Sequence, residues 1–219
     1  MIFFKQLFNP LAPSPLVESA FADVSGMLHQ SQQMLDHSLA VLLDNAPLTM
    51  NLDDMDDVVD EAERRVRRTI LEHLAVNPRQ DLVASLVLVS MVQDAERIGD
   101  FARGLVELVK NAQSPRTGRF ADELRELAQR LRPLFNLTER AFRTADPDQA
   151  RQVIQQHAQL RAALKTYRNR LADSDLSADM AIVYAGAAQI LRRIGAHLAN
   201  IASTVVQPYD RIRHLDEDH

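Results

Sequence analysis

From Leu52 onward apolar side chains recur at helical spacing: Leu52, Met55, Val59, Ala62, Val66 and Ile70 fall three or four residues apart. That period gathers them on one stripe of an amphipathic helix and turns the intervening charged residues outward. Similar stretches fill the chain, and proline and glycine divide them. Pro10, Pro13 and Pro15 punctuate the beginning. Ser14 before Pro15 predicts an N-cap and a first-turn proline, whose missing N–H costs nothing there. The first helix is expected to run to about Asn45, ahead of Pro47. A second opens at Thr49 or Asn51 and ends near Asn77-Pro78, and a third spans about Asp81 to Ala112. Asn111 to Gly118, with Gln113, Ser114 and Pro115, predicts a linker. Beyond it a fourth helix is expected from Arg119 to Thr144, kinked at Pro133. A fifth runs from the Asp146-Pro147 cap to Ala172, and a sixth from Ser177 to Val206. The tail from Tyr209 is polar and reads as frayed.

The third helix carries Asp94-Ala95-Glu96-Arg97-Ile98-Gly99-Asp100, and 96 residues later the sixth carries Leu191-Arg192-Arg193-Ile194-Gly195-Ala196-His197. Arg-Ile-Gly thus falls in the last helix of each set of three. The chain reads as an internal duplication, all-α, built as two tandem three-helix bundles over residues 1–113 and 114–219. Glycine inside a helix costs about 1 kcal/mol relative to alanine, so its recurrence at this place predicts a close helix approach.

Composition narrows the class. The chain has 219 residues and 46% hydrophobic content, enough for a packed core. The absence of cysteine excludes disulfides and thiolate metal sites and fits a cytoplasmic setting. No apolar run approaches the roughly 20 residues that span a bilayer. The apolar segment Met1–Phe8 is expected to pack on its own domain, with docking to a membrane or partner as the alternative. Residues 1–113 hold 17 acidic and 9 basic side chains, and residues 114–219 hold 13 and 16. An acidic first half suits cations. The mildly basic second half lacks the concentrated stripe that nucleic-acid binding needs, so no nucleic-acid partner is expected.

Within the acidic half, Asp56 and Asp60 lie four apart on the second helix, and Glu96 and Asp100 four apart on the third. If these helices are antiparallel neighbours, the two pairs converge. Four carboxylates gathered there repel one another unless protonated or neutralised by cations. An all-oxygen donor set suits magnesium, manganese, calcium or iron. The competing account is a solvated acidic surface paired with Arg64, Arg67, Arg97 and Arg103, and Asp53/Asp57 offers a rival frame on the second helix. In the second set, His157 and Arg161 take the acidic positions of the fifth helix, while Arg192 and Ala196 replace Glu96 and Asp100. Arginine cannot ligate a cation, so the second site is expected to be lost. Arg161, Arg192 and Arg193 are left as an ion-paired surface or as a patch for an anion or partner. His157 and His197 are expected to be ordinary packed or surface histidines. No glutamate has a histidine three residues on, as the ferritin-like di-iron pair requires, and there is no glycine-rich phosphate cradle.

The acidic run Asp56-Asp57-Val58-Val59-Asp60-Glu61-Ala62-Glu63, the segment Asn77-Pro78-Arg79-Gln80-Asp81-Leu82 and the run Asp94 to Asp100 resemble the PhoU family of phosphate-uptake regulators, in the same order. The third motif departs at Ala95, where the family pattern has leucine. The resemblance covers about residues 16 to 206. It implies two three-helix bundles and a multinuclear cluster of divalent or iron-type metal ions at Glu/Asp-x-x-x-Asp motifs, matched here by Asp56, Asp60, Glu96 and Asp100. It also implies a non-enzymatic role, restraining phosphate uptake or signalling by docking to a phosphate transporter or its sensor kinase. Such a protein would be cytoplasmic, working at the membrane face as a peripheral partner, with a homodimer open as an alternative to the monomer. A metal-dependent phosphate-handling enzyme and a plain helical scaffold are the competing functions.

Overall fold

The structure is a computed structural model that describes residues 15–78 and 82–211; the expectations for Met1–Phe8, for the Ser14 cap, for residues 79–81 and for the tail beyond Arg211 fall outside them. Helices form where the apolar period and the caps agree. In order they are α1 (Pro15–Leu43), α2 (Leu52–Val76), α3 (Leu82–Val109), α4 (Arg119–Gln129), α5 (Leu131–Arg143), α6 (Pro147–Ala172) and α7 (Ala178–Ser203), followed by a 3-10 turn at Tyr209–Arg211. Asn51, not Thr49, caps α2: its side chain accepts from the backbone N–H of Asp53 and Asp54. Asp146 does the same for α6, with Pro147 in the first turn. Ser177 holds the cap position of α7 without capping its backbone. Its hydroxyl bonds instead to Asp179, whose carboxylate also accepts from the N–H of Gln113 at 3.0 Å.

The fourth predicted helix is interrupted at one residue, Arg130, between α4 and α5. Pro133 has no N–H to give the carbonyl of Gln129, and its ring crowds that oxygen, so the chain turns at Arg130. Arg130 N–H bonds to Leu127 O at 3.2 Å, a tightened last turn. Both pieces keep their inward faces, Phe120, Leu124 and Leu127 on α4 and Leu131, Leu134 and Phe135 on α5. The first helix stops at Leu43, slightly short of expectation, and Asn45 takes φ 55° beyond it.

α1, α2 and α3 pack as one three-helix bundle, and the α4–α5 arm, α6 and α7 as a second. The bundles meet along α3 and α7, with α1 resting on α4 and α5. Their buried side chains form one continuous core. At the seam, a Cβ on Gly186 of α7 would stand 3.0 Å from Leu108 Cδ2 of α3, so that glycine makes room for the leucine. The expected linker is fastened down. Arg116 donates to the C-terminal carbonyls of α1, through Nε to Leu42 O at 2.9 Å and Nη2 to Val41 O at 2.8 Å. Arg125 of α4 adds Leu43 O at 2.8 Å. Helix C-terminal carbonyls lack partners within the helix and carry partial negative charge, so guanidinium groups satisfy both needs. Among the described residues no helix is long and apolar enough to cross a membrane.

Candidate metal centre

The stripe that buries Leu52, Val59, Ala62, Val66 and Ile70 of α2 carries Asp56 inward with it, and Asp56 is 7% exposed. It faces α3 at Gly99. A Cβ on Gly99 would lie 3.3 Å from Asp56 Oδ1, 3.4 Å from Ser31 Oγ and 3.6 Å from Val59 Cγ1. The motif glycine thus opens the space in which a carboxylate of α2 and a hydroxyl of α1 lie against α3. Ser31 Oγ is buried and has no hydrogen-bond partner. Asp60, Glu96 and Asp100 are less deeply placed, with side chains 33%, 17% and 30% exposed. Asp53 and Asp57, the rival frame, are exposed.

Electrostatics show that the two pairs share one field. Burial pushes the Asp56 carboxyl up to about 6; Arg103 opposes the rise, and Asp100, Asp60 and Asp53 add to it. Burial likewise pushes Glu96 up to about 7, with Asp100, Glu63 and Asp60 adding and Arg97 opposing. Carboxylates on two helices therefore hold up one another's proton affinity. Arginines interleave with them. Arg103 reaches Asp56 Oδ2 through Nε at 3.1 Å, Asp53 through Nη1 at 3.1 Å and Asp100 through Nη2 at 3.5 Å. Arg97 reaches Asp100 at 3.3 Å and Glu96 at 3.5 Å. Arg64 pairs with Asp60 at 3.2 Å and Arg67 with Glu63 at 2.7 Å. Among the described residues no three Asp, Glu or His side chains stand close enough together to hold a metal ion.

The donor set is nevertheless chemically suited to a hard cation. It is all oxygen, two of its members sit at raised proton affinity, and a cradle beside Gly99 contains an orphaned hydroxyl. The two arginines that span it have side chains half in solvent, 50% exposed for Arg97 and 43% for Arg103. Sequence reasoning missed two members of this environment. Glu63, seven residues beyond Asp56, shares its helix face and was legible by spacing. Ser31 comes from α1, and no local pattern marks it.

The second bundle repeats the geometry with other chemistry. A Cβ on Gly195 would lie 3.8 Å from His157 Nδ1 and 3.4 Å from Leu131 Cδ2. His157, 5% exposed, thus stands against Gly195 as Asp56 stands against Gly99. Arg161 and Arg192 line one groove beside it, whereas Arg193 turns away and stacks its guanidinium over Phe101 of α3, 4.7 Å from the ring centre. Asp94, the first residue of the acidic motif, is 2% exposed and joins the bundles rather than the carboxylate cluster. His197 Nδ1 lies 2.8 Å from Asp94 Oδ1, and Asn200 Nδ2 donates to the same oxygen at 3.3 Å. Phe101 stacks on the His197 ring at 5.6 Å.

The sequence matches the PhoU domain family twice, over residues 24–109 and again over 124–205. No curated protein matches the chain. Among solved structures, it is similar to PhoU from Pseudomonas aeruginosa, with a TM-score of 0.76 and 24% identity over 87% of this chain and 95% of that one. It is also similar to the phosphate transport system regulatory protein PhoU from Streptococcus pneumoniae, with a TM-score of 0.77 and 16% identity over 87% of this chain and 93% of that one. At these identities the structural likeness establishes the fold alone.

Proposed function

The chain belongs to the PhoU domain family, and from that premise we propose that it is a non-enzymatic regulator of phosphate transport or phosphate signalling that acts by docking to a transporter or sensor kinase. The observation that carries the reading is the family match in both halves of the chain, on the fold shared with the two solved PhoU structures. In support, no glycine-rich loop able to cradle a phosphate ester is present in the sequence. The protein acts on the cytoplasmic side of the membrane as a peripheral partner.

In this reading Asp56, Asp60, Glu96 and Asp100 hold a divalent or iron-type cation. Such an ion would supply positive charge between α2 and α3. Asp56 and Glu96 would release their protons to solvent on holding it, and Arg97 and Arg103 would let go the carboxylates they now span. Ser31 stands beside Gly99 to support the bound carboxylate of Asp56. Carboxylates drawn from α2 and α3 to one ion would hold these two helices in a fixed relative pose for docking.

The test is phosphate uptake in a strain lacking this chain. Deregulated uptake is expected, restored by the intact gene. Purified protein should turn over no phosphate ester with or without added manganese. Unaltered uptake in the deletion strain, where no second family member is encoded, would remove the regulator reading. Metal-dependent hydrolysis abolished by Glu96→Ala would replace it with the enzyme reading.

A further inference from the structure

Between α1 and α2 the surface of the first bundle carries an apolar groove of about 300 Å³. Met27, Val59 and Ala62 are its buried floor, and Ala22, Gly26 and Val58 its exposed sides. Val58 stands 58% exposed beside Asp54, Asp57 and Glu61, an apolar side chain on the charged side of its helix. Gly26 lies inside α1, where glycine weakens a helix relative to alanine. A Cβ there would meet nothing within 4 Å, whereas one on Gly99 or Gly186 would press on a packed neighbour. Those two glycines admit side chains of other helices. Gly26 keeps open a notch that none of the described residues fills. Asp23 and Glu61 edge the groove with one arginine, Arg65, which bonds to Asp23 at 2.7 Å, so the rim is net acidic.

Met1–Phe8 matches this groove in chemistry and in reach. Six of its eight residues are apolar, three of them phenylalanine, and Lys5 is its one charged side chain. Phe8 lies seven residues before Pro15, a span of up to about 25 Å for an extended chain. Gly26 lies eleven residues after Pro15, about 16 Å along α1. The tether therefore reaches the notch, including a sideways step of about 10 Å from the axis of α1 to the groove. We propose that Met1–Phe8 folds back on its own chain and seats phenylalanine side chains in the groove over Gly26. Each aromatic ring buried there removes roughly 150–250 Å² from water. The net acidic rim suits Lys5. It repels the anionic headgroups of a membrane surface. A tethered segment also meets the groove at an effective concentration on the order of millimolar, which favours it over a separate partner or a second copy.

The chain has no tryptophan, so Phe4→Trp or Phe8→Trp in the full-length protein gives a single fluorescent reporter. Blue-shifted emission and slow quenching by acrylamide are expected from at least one of them. An intramolecular contact keeps that shielding constant over about a hundredfold range of protein concentration. Gly26→Gln fills the notch and Val58→Gln removes an apolar side. Both positions are exposed, so the core is untouched. Each should raise quenching several-fold, towards that of a free indole. Leu71→Gln, equally exposed on α2 but outside the groove, should leave it unchanged. Both reporters quenched like a free indole, or shielding indifferent to Gly26 and Val58, would overturn the assignment. Shielding that fades on dilution would overturn it in favour of a second copy. Shielding that arises only with phosphatidylglycerol vesicles would overturn it in favour of a membrane contact.

Discussion

Glu96 and Asp56 are carboxyls whose protons are held by burial and by one another's neighbours. Folding raises Asp56 from 3.8 to about 6 and Glu96 from 4.5 to about 7. An acid whose proton affinity rises on folding stabilises the native state below its unfolded value, and that contribution is lost as pH climbs through its folded value. For Glu96 the window runs from pH 4.5 to about 7. In chelator, Glu96→Gln should therefore be more stable than the wild type at pH 8, by on the order of 1–3 kcal/mol, and the gap should close towards pH 4. Urea titrations at the two pH values measure it. A wild type more stable than the variant at pH 8 would show that Arg97 outweighs burial. The paired spacing of Asp56/Asp60 and Glu96/Asp100 was legible because helical period alone decides which side chains share a face. The depth of Asp56 was legible from its place in the apolar stripe of α2. Ser31 and the reach of Arg103 were not, because they depend on which helices become neighbours.

Elements are delimited largely by proline and by capping side chains, which is why Asn51, Asp146 and Pro147 could be read in advance. Pro133 predicts a kink, and the helix is interrupted there at the single residue Arg130, which keeps φ −71° and ψ −15°. Leu131, Leu134 and Phe135 carry the buried face of Leu124 and Leu127 on across the interruption. The stretch from Asn111 to Gly118 predicts a linker. Its clamp was hidden because Arg116 binds carbonyls 74 and 75 residues earlier, and no local pattern announces so distant a pairing. Arg116→Ala removes two charge-assisted hydrogen bonds, those to Val41 O and Leu42 O, and leaves that of Arg125 to Leu43 O. It should cost about 1–3 kcal/mol, read as a lower urea midpoint with an unchanged slope. A loss below a few tenths would mean that solvent satisfies those carbonyls equally well.

On the scale of the molecule, the duplication predicted two bundles, and the structure shows how they are joined. One core runs through both. The α3–α7 seam adds the buried Asp94–His197 contact and the Leu108 fit against Gly186. Halves sharing a core lose it together, so calorimetry should record one transition with matching calorimetric and van't Hoff enthalpies. Two resolved transitions would show that the seam is weaker than either bundle. The repeat also frames the charge asymmetry: one repeated geometry, with Gly99 beside Asp56 and Gly195 beside His157, carries carboxylates in the first bundle and arginines in the second. The central claim is that the first bundle alone holds a cation. Manganese titration of the full-length protein at pH 7.5 tests it most directly. Saturable binding should persist in Arg161→Ala/Arg192→Ala and largely disappear in Glu96→Ala/Asp100→Ala. Unchanged stoichiometry in the carboxylate variant would contradict the account.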